Sequence, residues 1–251
     1  MPTEKARAIV LRVVDFSETS IVATLFTDSM GKIAALAKGA RRPKGPFEAA
    51  LDLLAVCRIV FIHKTSDALD LLTEAKLERR FRSAARDLSR LYAGYYVAEL
   101  LQELTDTADP HPELFRAADE ALFDLDHGAP PFSIVLRFEL TLLRVLGLLP
   151  SLDACAACGA RVEAVGRMAF GPLAGGVLCA ACRGGQQQVV RVSAGVIKTL
   201  QRYAEPESDL WRRVEVGHGL GGELRGVLNH YVAHVLGRRP RMHKYLGAMA
   251  N

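Results

Sequence analysis

Four of the five cysteines fall in one window, Cys155-Ala-Ala-Cys158 and, twenty residues further on, Cys179-Ala-Ala-Cys182. Two residues between thiolates let one tight turn aim both sulfurs at the same ion, and two such turns complete a tetrahedron. The small residues inside each knuckle (Ala156, Ala157, Ala180, Ala181) and Gly159 after the first suit that geometry. The pattern predicts one Zn2+ per chain on Cys155, Cys158, Cys179 and Cys182. Four thiolates leave no open position for water, so such an ion is structural and no catalysis is expected at it. Redox or disulfide use of the same residues is the competing reading, and two C-x-x-C pairs in a turn-rich segment favour zinc over it. Cys57 lies inside an apolar run and is expected to be a small buried hydrophobe.

The second chemical feature is cationic. Lys38, Arg41, Arg42 and Lys44 crowd into seven residues bounded by Gly39, Pro43 and Gly45, a loop suited to following an irregular phosphate backbone. A second cluster comprises Lys76, Arg79, Arg80 and Arg82, and a third Arg238, Arg239, Arg241, His243 and Lys244. Lys38, Arg41, Arg42, Lys44, Arg79 and Arg80 are the candidate nucleic-acid-binding residues. No Walker lysine loop, no G-x-G-x-x-G after a strand and no G-x-S-x-G elbow is present, so no enzyme is expected. His230 and His234 stand four apart, but they lack an intervening Glu and a third ligand, and read as two face residues of a helix.

These residues need positioning. Five apolar, β-branched runs (Ala8–Phe16, Ile21–Thr27, Lys32–Ala37, Leu53–His63 and Asp67–Glu74) fill the first eighty residues, with turns at 17–20 and 28–31. Five short strands leave costly edges if kept flat, so a closed barrel is expected, OB-like first and SH3-like second. The basic loop follows the third strand and projects from it. Helical spacing then takes over. In 84–107, Leu88, Leu91, Tyr95, Ala98, Leu101 and Leu104 mark one face; Leu114, Ala118, Ala121, Leu122 and Leu125 mark a second helix. Pro130-Pro131 opens a third, apolar around most of its circumference and ended by Gly147 and Pro150. Short strands in 161–170 and 176–178 outline a zinc ribbon, followed by helices at Ser193–Ala204 and Glu223–Leu236.

The fold class is therefore α+β and multidomain, with an OB-like nucleic-acid-binding barrel (1–82), a helical domain (83–153), a four-cysteine zinc-binding segment (154–184) and C-terminal helices that pack with the helical domain (185–251). Charge follows this division. The first segment carries 14 Lys+Arg against 10 Asp+Glu, residues 83–153 carry 5 against 12, and residues 154–251 carry 13 against 6, so a net +4 conceals two basic ends around an acidic middle. Such asymmetry points to a polyanionic partner for the ends and to protein contacts for the middle. With 50% hydrophobic and 24% charged residues, disorder, collagen and coiled coil are excluded. No apolar run approaches membrane-spanning length and no signal peptide is visible, so a soluble intracellular protein is expected.

In order along the chain, Glu18, Phe26-Thr27, Gly31-Lys32, Lys38-Gly39-Ala40-Arg41-Arg42, Phe138-Glu139-Leu140, Leu146-Gly147, Cys155-x-x-Cys158-Gly159 and Gly175-Gly176-Val177-Leu178-Cys179 resemble the DNA repair protein RecO family over roughly residues 5–205. The resemblance implies a recombination mediator that binds single- and double-stranded DNA and anneals complementary strands. It implies action with RecR to load RecA on DNA coated by single-strand-binding protein (SSB), and an apolar site for the SSB tail on the helical domain. Phe16, Phe26 and Phe61 fall within strands and are expected in the core, which makes the DNA contact mainly electrostatic. A zinc-ribbon RNA-binding or transcription factor, or a structural adaptor, would share the barrel, ribbon and basic loop.

Overall fold

The computed structural model describes residues 3–42, 45–47, 50–64, 68–83, 87–206 and 208–247. Two compact units divide the chain, residues 1–129 and 130–251.

In the first unit, alternation of apolar and polar residues builds five strands: β1 (Thr3–Asp15), β2 (Ile21–Thr27), β3 (Gly31–Ala37), β4 (Val56–Ile62) and β5 (Asp70–Arg79). Their order is β1-β2-β3-β5-β4, and β4 pairs back on β1 to close the barrel. β3 and β5 run parallel; every other pair is antiparallel. This is the OB-like barrel expected from the sequence. Ala8, Val10, Ile21, Ala23, Leu25, Ile33, Ala35, Ile59, Phe61 and Leu72 fill it, and Cys57 is buried among them. β1 starts five residues before the apolar run, because Lys5 and Arg7 alternate outward with Ala6 and Ala8 inward. Its pairing with β4 ends at Ile9↔Val56, and after a register shift between Val10 and Arg12 it continues with β2 alone.

Two helices complete this unit, α1 (Leu88–Leu104), capped by Asp87, which accepts from the Ser89 amide at 2.8 Å, and α2 (Pro112–Asp126). The buried face of α2 is the expected one. That of α1 is not: Leu88 is 60% exposed, while Ala93, Gly94, Tyr96, Val97 and Leu100 join Ala98 and Leu101 inside. Gly94 explains the shift. A Cβ there would lie 2.8 Å from Leu54 Cδ1 and 3.1 Å from the Phe81 ring, so only a residue without a side chain fits α1 at this point. Gly31, at φ +66°, lets β3 begin against the chain beyond α1, where a Cβ would meet Asp109 O at 2.0 Å. Lys32 then donates its Nζ to the Gln102 carbonyl at 2.6 Å and to the Thr105 carbonyl, answering orphan acceptors at the end of α1.

The second unit is built on α3 (Pro131–Val145), buried on most sides as its composition predicts. α4 (Ala194–Ala204), α5 (His218–Leu236) and a short α6 (His243–Leu246) accompany it, with a three-stranded sheet β7-β6-β8 formed by β6 (Arg167–Gly171), β7 (Gly176–Leu178) and β8 (Val190–Ser193). β8 carries only four residues, Val190-Arg191-Val192-Ser193, an alternation too short to stand out as a strand. α5 begins five residues before its predicted start; Gly219, Gly221 and Gly222 weaken the helical pattern there, and Gly221 is buried with the Phe132 ring beside it. Glu139 of α3 is fully buried and receives a forked pair of bonds from Arg225 of α5, Nη1 to Oε1 at 3.0 Å and Nη2 to Oε2.

Candidate metal centre and nucleic-acid interface

The sulfurs of Cys155, Cys158, Cys179 and Cys182 lie within 4.8 Å of one another. Cys158 Sγ and Cys179 Sγ are 3.9 Å apart. An ion bound tetrahedrally by thiolates at ~2.3 Å has sulfur–sulfur edges of roughly 3.8 Å, so the four side chains fit a closed four-sulfur site. Backbone bonds hold both knuckles. Gly159 donates to the Cys155 carbonyl at 2.8 Å from a left-handed φ of +74°, and Cys155 donates to the Ala160 carbonyl at 2.7 Å. The second turn repeats this with the Cys182 and Arg183 amides on the Cys179 carbonyl, at 3.2 and 3.1 Å. β7 joins the two: Ala156 donates to Val177 O at 2.9 Å, and Ser151 brackets Gly176, where a Cβ would lie 2.2 Å from Ser151 O.

Cys155 and Cys182 are shifted in opposite directions within the cluster. The Cys179 amide, 3.4 Å from Cys155 Sγ, leads the backbone donors that bring the Cys155 thiol down to about 6. Crowding by the thiols of Cys179, Cys158 and Cys155 pushes Cys182 up to about 12. A divalent ion held by the four sulfurs would ionise every thiol that coordinates it. Cys57 is the opposite case, its thiol pushed up to about 12 by burial, with its sulfur 3.7 Å from Ala8 O. Exposed His230 and His234 on α5 belong to no metal cluster among the described residues.

The candidate DNA-binding residues separate into two kinds. Lys38, Arg41 and Arg42 lie exposed on the turn that follows β3. Arg41 donates its amide to Thr19 O at 3.1 Å and pairs its side chain with Asp15, and Gly39 donates to Ser20 Oγ at 3.4 Å, so this turn is fastened to the β1–β2 turn. Among the described residues neither Lys38 nor Arg42 has an ion-pair partner. Lys44 lies outside the described residues. Arg79 ends β5 and is engaged inside the unit: it bonds the Asp119 carboxylate and carbonyl, the latter at 2.9 Å, and sits 5.4 Å over the Phe123 ring. Arg80 is half exposed, 3.7 Å from Asp52. In the third basic cluster His243 is buried, and desolvation lowers its pKa to about 4, so it adds no charge at neutral pH.

Two features escaped the sequence reading. Arg7, Arg58 and Lys76 stand in register across β1, β4 and β5, beside a cavity of about 540 Å³ lined also by Lys5, Val60 and Glu74. Glu78 ties Arg7 (3.0 Å) to Arg58, and Asp119 takes the other arm of Arg7 at 2.9 Å, so most of that charge is spent within the unit. The alternation Lys5-Ala6-Arg7-Ala8 was the available signal. The second is a correction: Phe26 and Phe61 are core as expected, but Phe16 is 63% exposed, because the β1–β2 hairpin runs past the end of the barrel.

Comparison with known proteins gives these sites their setting. The N-terminal family model for recombination protein O matches residues 1–81 and the C-terminal model matches residues 85–244. The chain belongs to the RecO family. The DNA repair protein RecO of Rhodopirellula baltica is 42% identical, covering 95% of this chain and 97% of its own length. That of Anaeromyxobacter dehalogenans (strain 2CP-1) is 35% identical over 98% of this chain and 96% of its own, and that of Moorella thermoacetica 30% identical over 96% and 90%. The barrel, the helices and the four-cysteine cluster thus belong to a RecO-family DNA repair protein. Among the described residues no helix is long and apolar enough to cross a membrane.

Proposed function

We propose that this RecO-family protein is a recombination mediator that binds single- and double-stranded DNA, anneals complementary strands and, with RecR, promotes RecA loading on SSB-coated DNA. The observation that carries the DNA-binding part is the exposed Lys38–Arg42 turn at one end of an OB barrel, a fold whose faces and loops take oligonucleotides. Lys38, Arg41, Arg42 and Lys44 hold phosphates; Arg80 adds a weaker contact, and Arg79 acts chiefly by holding β5 to α2. Residues 1–82 serve as the DNA-binding domain, the helices of 83–153 and 185–251 meet protein partners, and 154–184 hold one zinc ion on the four cysteines. The ion stabilises the fold and takes no part in chemistry.

Annealing needs no catalytic residue. Cations neutralise the repulsion between two phosphate backbones, and base pairing supplies the driving energy. The test is annealing of SSB-coated complementary oligonucleotides by the wild type and by the Arg41→Glu/Arg42→Glu variant. The variant should lose annealing and affinity for both DNA forms, whereas a structural adaptor would keep its activity and an RNA factor would not anneal SSB-coated DNA. With about four phosphates contacted, single-strand affinity should fall roughly fifty-fold between 50 and 200 mM salt.

A further inference from the structure

Phe16 ends the β1–β2 hairpin, its amide donating to Ser20 O at 3.0 Å, and it is the most exposed aromatic ring of the barrel. The register shows what lies beside it. Ile21 and Ala23 point into the core, so Val22 between them faces outward, and so does Val14, paired with it. Val22 pairs with Leu36, and Leu36 with Leu71. An apolar row, Val14-Val22-Leu36-Leu71, therefore crosses four strands on the outside of the barrel, half-buried along its length and 42% exposed at Val14. Phe16, two residues beyond Val14 and just past the end of β1, follows the strand at this exposed end of the row.

The row is bordered by charge of one predominant sign. Arg12 is exposed next to Val14, and the Lys38–Arg42 turn follows directly from Leu36 and Ala37 and is bonded to the turn that carries Phe16. Of the nearby acids, Asp15 is answered by Arg41, and Glu18 stands exposed on the hairpin turn. Apolar surface and an open aromatic ring alongside phosphate-binding cations match a chain of unpaired bases on a polyanionic backbone. A duplex keeps its base faces stacked inside and offers the ring nothing.

We infer that Phe16 is the base-stacking residue of this barrel: a single strand crosses the Val14-Val22-Leu36 row with one base on the Phe16 ring and its phosphates on Lys38, Arg41 and Arg42. The inference rests on the DNA-binding reading of that turn and adds the residue that separates single from double strands.

The test compares full-length wild type, Phe16→Ala, Phe16→Trp and Arg41→Glu/Arg42→Glu on a fluorescein-labelled oligo-dT and a duplex of equal length. Phe16→Ala should weaken oligo-dT binding roughly tenfold, the contribution of one stacked base, with duplex affinity kept within about twofold and the salt slope unchanged. Phe16→Trp should retain affinity, and its added emission relative to wild type should be quenched by oligo-dT and not by duplex. Equal loss on both DNA forms, or an unquenched Trp, overturns the stacking role. If Phe16→Ala binds oligo-dT normally while the double Arg variant loses both forms, stacking falls and the DNA-binding reading stands. If the double Arg variant also binds normally, both fall.

Discussion

The barrel and the ribbon reach order by opposite means. Seventeen buried residues from all five strands and the adjoining loops form the barrel core, closed on itself with no free edge. The cluster packed on the cysteines has, among the described residues, three buried members, Cys155, Ala169 and Leu178, with Val162, Ala174 and Val189 packed partly against them. Apolar burial at roughly 25 cal/mol per Å² can hold the first and has little to work with in the second. Where burial is scarce, the cluster of four sulfurs can bind a metal ion, and an ion held there would supply the cohesion.

That contrast breaks first at the metal. Cys158→Ser should abolish stoichiometric zinc by elemental analysis and open residues 154–184 to limited proteolysis, with residues 1–129 remaining resistant. If chelation loosens both units equally, the division of labour is wrong. Next in size is the Glu139–Arg225 pair. Glu139→Ala leaves a buried guanidinium without its acceptor and should cost about 3–5 kcal/mol in denaturant unfolding of the second unit, whereas the Glu139→Leu/Arg225→Met double variant should recover most of it.

A third effect is pH. Burial holds His243 at about 4 against an ordinary 6.5, with Glu139, Arg225 and Arg239 as its charged surroundings. The folded state thus binds fewer protons than the unfolded one between those values. The stabilisation is complete above pH 6.5 and is lost as pH falls towards 4, by up to about 3 kcal/mol. It should appear in the second unit's transition and be absent from His243→Gln. The smallest effect sharpens the barrel side. Lys32→Met, which leaves the end of α1 without its cation, should cost about 1 kcal/mol and leave zinc content unchanged.

Legibility in the sequence differed along the same line. β2, the buried face of α2 and the four-sulfur cluster were readable because each depends on local spacing: two residues for alternation, three or four for a helix, two between thiolates. The face of α1 was not readable. Gly94 packs inward because Leu54 and Phe81, distant in sequence, take the space, and no helical count of leucines encodes that. Phe16 looked like any strand aromatic, since the register shift that carries the hairpin beyond the barrel depends on where β4 stops. Arg79 reads in the sequence as a candidate DNA-binding cation; its partner, Asp119, lies forty residues away on α2.

The closing pairs of the barrel bear also on the order in which the chain becomes ordered during synthesis. β1 leaves the ribosome ahead of the other barrel strands, yet its second edge is β4, some fifty residues later, and β3 must wait for β5. Until about residue 79 has emerged, the β1–β2–β3 meander carries two open edges and an uncovered apolar face, the interval in which a nascent chain is most exposed to wrong pairing. The two knuckles of the ribbon are separated by only twenty residues and close within one short stretch of translation. The slow-closing, long-range half of the molecule is therefore made first, and it has the whole time of synthesis of the second half in which to finish.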